Sequence, residues 1–353
     1  MKQRNPIIIA FSLIAGILPI CLLYINSNNI NHQPNNFIRL FRPHTIDSVK
    51  GIDIKYNSFY ISGVTSDRVY LGNTTAPYFI LVVPNTLKDT LQLRIQVENG
   101  MRANLNNSQI RVDSPHFFIM DGIYPAILQG NLNNLHAVRS NYDSTFFTRA
   151  IPISKSSFAL RTCRQNELNY ILAKEQNELP HLKFAEGILQ NQVDGLFSTD
   201  GILLYNSSQN ILIYVYYHRN QFICTDTNLA LVYRARTIDT TSYAKIKIVT
   251  INAGRTVTLA TPSLVVNKRA CTSNNLLFIH SGLMAKNEDK ENFKQASVID
   301  VYNLKKGKYR FSLYLFDYGN KKIGDFGICG NSIIALHDHH LVAYYLDPKI
   351  FQE

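Results

Sequence analysis

The stretch GILLYNSSQNILIYVYYHRNQFICTDTNLALVYRA, residues 201–235, alternates short apolar runs with clusters of turn-forming residues. GILLY at 201–205, ILIYVYY at 211–217, FICT at 222–225 and LALVYRA at 229–235 are four runs of strand length, rich in Ile, Val, Leu and Tyr. The connectors NSSQN, HRNQ and DTN are short and polar, as hairpins require. The stretch therefore predicts one antiparallel meander of four strands.

The same pattern extends in both directions. Upstream it reads FYISGV at 59–64, RVYLGN at 68–73, YFILVV at 78–83 and LQLRIQV at 91–97. Downstream come SVIDVYNL, GKYRFSLYLFDY, IGDFGICGN, SIIALH and HLVAYYL. Only Glu167–Gln176 and Lys286–Gln295 interrupt the theme, as loop excursions or single helices. Meanders spaced by roughly 45 to 50 residues over about 300 residues predict an all-β chain, a β-propeller of six or seven four-stranded blades. Radial repetition also leaves only short protected edges, whereas one open sheet of so many strands would curl and expose them. Two stacked β-sandwiches or one irregular sheet are the alternative.

Before the first meander lies a different kind of sequence. Residues 1–6 carry Lys2 and Arg4 and no acid, and Ile7–Tyr24 is an uncharged run, IIIAFSLIAGILPICLLY. At helical rise, eighteen residues reach about 27 Å, close to the thickness of a bilayer's hydrocarbon core. The span 7–25 is therefore expected to be a transmembrane signal anchor, with residues 1–6 in the cytoplasm by the positive-inside rule. A cleaved signal is the other reading, but Leu18, Ile20, Leu22 and Leu23 stand where a cleavage site wants small residues. A lipoprotein at Cys21 is disfavoured by Ile20 before it. Residues 26–50 are Asn-rich and weakly patterned, a tether to a propeller-like domain over 51–353.

The formal charge is +11, and without Lys2 and Arg4 the chain keeps 34 basic against 25 acidic side chains, a surplus of nine. That surplus attracts polyanions without selecting one. Nucleic acid ranks last, since the expected topology faces away from it and no aromatic–basic recognition motif is present. Cys163, Cys224, Cys271 and Cys329 are an even number at irregular spacing, compatible with three disulfide pairings or with small core residues. The absence of C-x-x-C removes zinc-ribbon, thioredoxin-like and c-type haem readings.

No hydrolase, Walker or dinucleotide-binding motif occurs, so the sequence assigns no catalytic residue and no cofactor. Asp121, Asp194, Asp200, Asp239, Asp300 and Asp325 are carboxylates that a fold could gather for glycoside chemistry, or turn residues. The chain has no Trp, which excludes WD-type blades and complete sialidase Asp boxes. His337-Asp338-His339-His340 has metal-ligand chemistry, but between SIIAL and LVAYYL it is expected to be a hairpin turn whose side chains diverge, and no metal site is assigned. The candidate recognition loop is Tyr216–Gln221, with His218 and Arg219 and the nearby Asp239 as ligand-binding residues.

FYISGVTSDRVYLGNTTAPYFILVV, VYYHRNQFI, RTIDTTSYAKIKI and ASVIDVYNLKKGKYRFSLYLFD resemble uncharacterised membrane-anchored, propeller-like proteins of Bacteroidota. The resemblance covers most of the exported region and implies an envelope location and a six-bladed type of propeller. It brings no activity. The expectation is a single-pass protein of the cell membrane, its bulk periplasmic, that binds or scaffolds an envelope protein or glycan. A propeller-type hydrolase or lyase acting on envelope carbohydrate or a small ester is the alternative.

Overall fold

The computed structural model describes residues 11–21, 35–43, 45–97, 105, 107–165, 167–251 and 256–351. It is a six-bladed β-propeller. The blades span 59–94, 109–139, 147–185, 201–236, 267–316 and 325–346. Each is an antiparallel meander, and the second gains a parallel edge strand, Gln96–Val97. A separate hairpin, Ile248–Ile251 with Thr256–Leu259, stands between the fourth and fifth blades.

The central strands are buried along nearly their whole length, as in Ile211–Tyr216, Leu276–Ser281 and Ser332–His337. They lie inside a blade and are covered by neighbouring blades on both faces, which is why they read as continuous apolar runs. Six apolar clusters fill the six interfaces between successive blades. One packs Ile213, Val215 and Phe222 of the fourth blade against Leu277, Ile279 and Tyr302 of the fifth. Another packs Val69 and Leu71 of the first against Ile334, Leu341 and Ala343 of the sixth, so the ring is closed. Asn210, Asn274 and Asp338 adopt positive φ in hairpin turns, the conformation that Asn and Asp tolerate best among non-glycine residues.

Closure uses a strand that begins before the expected domain boundary at residue 51. Ile46–Asp53 pairs antiparallel with His340–Leu346 and becomes the outermost strand of the sixth blade. Gly51 lets the Tyr318 ring lie close over the strand, since a Cβ would stand 2.6 Å from that ring. The described residues 35–43 and 45–50 of the region read as a tether over 26–50 thus belong to the propeller. Residues 35–42 dock on the fifth blade, with Phe37 buried and Arg39 at the centre of an ion cluster. Arg39 grips Asp300 bidentately at 2.7 and 2.9 Å, pairs with Glu288 and donates to the Leu283 carbonyl at 2.9 Å. The sequence reading missed this because Arg39 lies in a weakly patterned stretch and its partners Glu288 and Asp300 are 249 and 261 residues further along the chain.

Two further expectations change. Glu167–Gln176 is neither loop nor helix along most of its length, since Tyr170–Gln176 is the third strand of the third blade. Its polar end looked unlike a strand because Glu175 is buried to accept the Tyr142 and Asp143 amides, a role set by distant residues. Lys290–Gln295 is a helix, capped by Asp289. Cys163, Cys224, Cys271 and Cys329 are unpaired, Cys224 and Cys329 being core residues. At the N-terminus, residues 11–21 are helical. No helix among the described residues is long and apolar enough to cross a membrane; the rest of the expected 7–25 span, like residues 1–6, lies outside them.

Removing one partner from a buried ion pair strands the other charges and costs about 3–5 kcal/mol. Arg39→Met should therefore lower the unfolding free energy by that order and shift the denaturant midpoint down with it, and an unchanged midpoint would refute the docking as a stabilising element. His280 is a second test. Burial, with Lys268, Lys322 and Arg269 adding to it, pushes its pKa down to about 3 from 6.5. The folded ring stays neutral while the unfolded chain takes up a proton, so stability falls as pH drops below about 6.5, by roughly 2 kcal/mol near pH 5. In His280→Gln, unfolding curves recorded from neutral pH down to about pH 4 should show a shallower acid limb than wild type.

Candidate functional site

The innermost strands of the six blades, beginning at Phe59, Gln109, Phe147, Gly201, Asn267 and Asp325, surround a central channel. Its cavity is about 720 Å³, within the range of ligand-binding clefts. Side chains bridge neighbouring inner strands where the blades splay apart. The Asp325 carboxylate accepts the Ile61 amide at 3.0 Å, joining the sixth blade to the first. The Tyr60 hydroxyl accepts the Ile110 amide at 2.6 Å, joining the first to the second.

The channel lining is cationic. Arg111, Arg149 and Arg269 come from the second, third and fifth blades. Arg149 donates to the Thr148 carbonyl at 2.9 Å and to the Tyr217 hydroxyl at 3.4 Å. Arg269 donates to the Gly324 carbonyl at 3.1 Å and the Lys268 carbonyl at 3.3 Å. None of the three forms a salt bridge among the described residues. Tyr60, Tyr205 and Tyr217 add aromatic and hydroxyl surface.

Two acids line the same cavity, Asp325 and Asp338. Burial pushes the Asp325 pKa up, opposed by the Ile61 and Phe326 amides and by the charges of Arg111 and Arg269. The remaining carboxylates singled out in the sequence stand elsewhere and are used locally. Asp121 accepts the Ile123 and Tyr124 amides at 3.0 Å each. Asp194 accepts those of Phe197 and Ser198. Asp200 faces Arg161 at 3.6 Å, and Asp300 holds Arg39. Among the described residues, no carboxylate beyond Asp325 and Asp338 lines the channel.

The ligand-binding candidates of the recognition loop are buried. His218, Arg219 and Asp239 are 7%, 2% and 5% exposed. His218 Nδ1 meets the Leu264 carbonyl at 2.9 Å. Asp239 accepts the Thr237 hydroxyl at 2.6 Å and the Thr241 amide at 2.8 Å. Asn220 ties the hairpin to this second loop through the Asp239 and Thr241 carbonyls. Arg219 stacks on the Tyr216 ring at 3.6 Å, and its guanidinium nitrogens have no hydrogen-bond partner among the described residues. The three residues lie together but out of solvent. Their neighbour Tyr217 is the residue of this loop that reaches the channel.

The channel arginines escaped the sequence reading. They are 38 and 120 residues apart, yet each is the third residue of its blade's innermost strand, a signal visible only after the meanders are superimposed. The His337–His340 turn also differs from expectation. His337 points into the core, its Nδ1 at 2.7 Å from the Lys321 carbonyl and its Nε2 at 2.9 Å from the Tyr344 hydroxyl. His339 and His340 do not diverge: their ring centroids are 4.1 Å apart.

No protein-family model matches the chain, and no curated protein is similar to it in sequence. Solved structures are similar in fold. A member of the DUF4221 family from Bacteroides vulgatus superimposes with a TM-score of 0.56 at 12% identity, over 89% of this chain and 99% of that one. A gluconolactonase from Xanthomonas campestris superimposes with a TM-score of 0.50 at 9% identity, over 88% and 95%. At such identities the likeness establishes the propeller fold and nothing finer.

Proposed function

We propose that the protein is a non-catalytic binding module that takes an acidic glycan fragment from the cell envelope into its central channel. The observation that carries this reading is the convergence of Arg111, Arg149 and Arg269 on one cavity, with no salt-bridge partner among the described residues. Guanidinium groups match carboxylates bidentately, and the channel tyrosines offer faces and hydroxyls suited to a sugar ring. The hydrolase or lyase alternative calls for paired carboxylates, whereas Asp325 is engaged by two backbone amides and Asp338 sits beside His339.

Attachment to the membrane through residues 7–25, with the propeller on the periplasmic side, is part of the same proposal. It rests on the uncharged run Ile7–Tyr24 after Lys2 and Arg4. It is also supported by the outward-facing Phe11, Leu13, Ile14, Ile17, Leu18 and Ile20 of the helical stretch. The full chain should remain in the membrane pellet after carbonate extraction and become soluble once residues 1–25 are removed. Recovery of the full chain in the carbonate supernatant would contradict the anchor.

Titration with galacturonate and glucuronate oligosaccharides, beside neutral counterparts and inorganic phosphate, tests the channel. Arg149→Ala and Arg269→Ala should each weaken uronate binding about ten- to hundredfold, as expected for losing a hydrogen bond to a charged group. Asp325→Asn removes a negative charge next to the bound anion and should tighten binding roughly three- to tenfold. In wild type, protonation of Asp325 has the same sign, so affinity should rise as pH falls, and that rise should vanish in Asp325→Asn. Equal binding of the neutral sugars, or indifference to both arginine substitutions, would end this reading. Turnover of the oligosaccharides that depends on Asp325 would replace it with the hydrolytic one.

A further inference from the structure

The closing strand and the His337–His340 turn meet at one end of the sixth blade. Asp53 is paired in register with His340, and the Ile54 amide donates to the His339 carbonyl at 2.9 Å. This pairing brings a carboxylate from near the start of the chain to two imidazoles near its end. One ring nitrogen each of His339 and His340 and one Asp53 oxygen lie within 4.8 Å of one another.

We propose that Asp53, His339 and His340 form a site for a divalent transition-metal ion of the zinc, nickel or copper class, which clasps the ring at its point of closure. Two imidazoles and one carboxylate are a donor set that suits these ions, and three protein ligands leave a position for water. Metal–ligand bonds of about 2.0–2.1 Å put the donors of a tetrahedral site about 3.4 Å apart. Side-chain rotation closes the remaining gap, since Asp53 is exposed and the two histidines half-buried.

Three surrounding contacts favour the arrangement. Asp338 Oδ2 stands 3.3 Å from His339 Nδ1 and orients that ring, the role that carboxylates outside a metal's own ligand set commonly play. The Lys55 amide donates to Asp53 Oδ1 at 2.7 Å and fixes the carboxylate while its second oxygen stays available. Tyr318 packs on His340 with ring centroids 5.3 Å apart, limiting that ring's motion. His340 Nδ1 is buried and has no hydrogen-bond partner among the described residues. Lys321, a cation beside the cluster, stands 3.8 Å from Asp338 and is itself more than half exposed.

The ligands come from the two strands whose pairing closes the propeller, so binding and closure should be linked. Protein stripped with chelator and titrated with zinc, nickel or copper chloride should bind one ion and gain thermal stability. His339→Ala, His340→Gln and Asp53→Asn should each weaken that binding tenfold or more, and Asp338→Asn by about ten- to hundredfold through loss of ring orientation. Unchanged metal-free unfolding midpoints in His339→Ala and Asp53→Asn, both altered at solvent-accessible positions, would show that the variants still fold. Copper bound to wild type should give an electron paramagnetic resonance spectrum with imidazole nitrogen couplings. No binding by any of the three ions, or equal binding and stabilisation in the His339 and Asp53 variants, would overturn the proposal.

Discussion

The pairing of Ile46–Asp53 with His340–Leu346 is the constraint on which the molecule depends. A propeller blade is hydrophobic on both faces, and each face is covered only when the next blade is in place. With five interfaces made, the sixth still leaves Val69 and Leu71 on one side and Ile334 and Leu341 on the other in need of a partner. Bringing the two ends of the chain into one sheet removes both liabilities at once. It buries the last pair of apolar faces and supplies the final blade with its outer strand.

Arg39 serves the same end by other means. Its segment precedes the closing strand and is held on the fifth blade by Asp300 and Glu288 in a site from which water is excluded. Such a cluster adds little net stability compared with apolar packing, but it tolerates no missing partner. It fixes where the chain enters the ring, and therefore which strand can close it.

Closure also creates the channel. Six inner strands, each contributing residues from one edge of its blade, enclose a space that no single blade possesses. Arg111, Arg149 and Arg269 stand far apart in sequence and make their charge felt together only there. The mild basic surplus of the whole chain thus has a focus, and low-dielectric walls strengthen the attraction for anions beyond what the same arginines would exert on an open surface. The inward carboxylate at Asp325 moderates that field and joins the first blade to the last.

The amino-acid sequence determined the all-β class, the four-strand meanders and their radial arrangement, because strand period and turn chemistry are local properties. Runs such as ILIYVYY and RVYLGN appear in the structure close to where they were read. Tertiary structure alone decided the rest. Glu175 turned a polar segment into a strand by accepting amides from residues more than thirty positions away, at Tyr142 and Asp143. His218 and Arg219 became buried because the loop carrying Asp239 packs against their hairpin, while Tyr217 beside them entered the channel. Asp53 met His340 only through the closing strand. In each case the deciding contact joins residues whose separation along the chain leaves no periodic trace, so it comes into being only when the ring is complete.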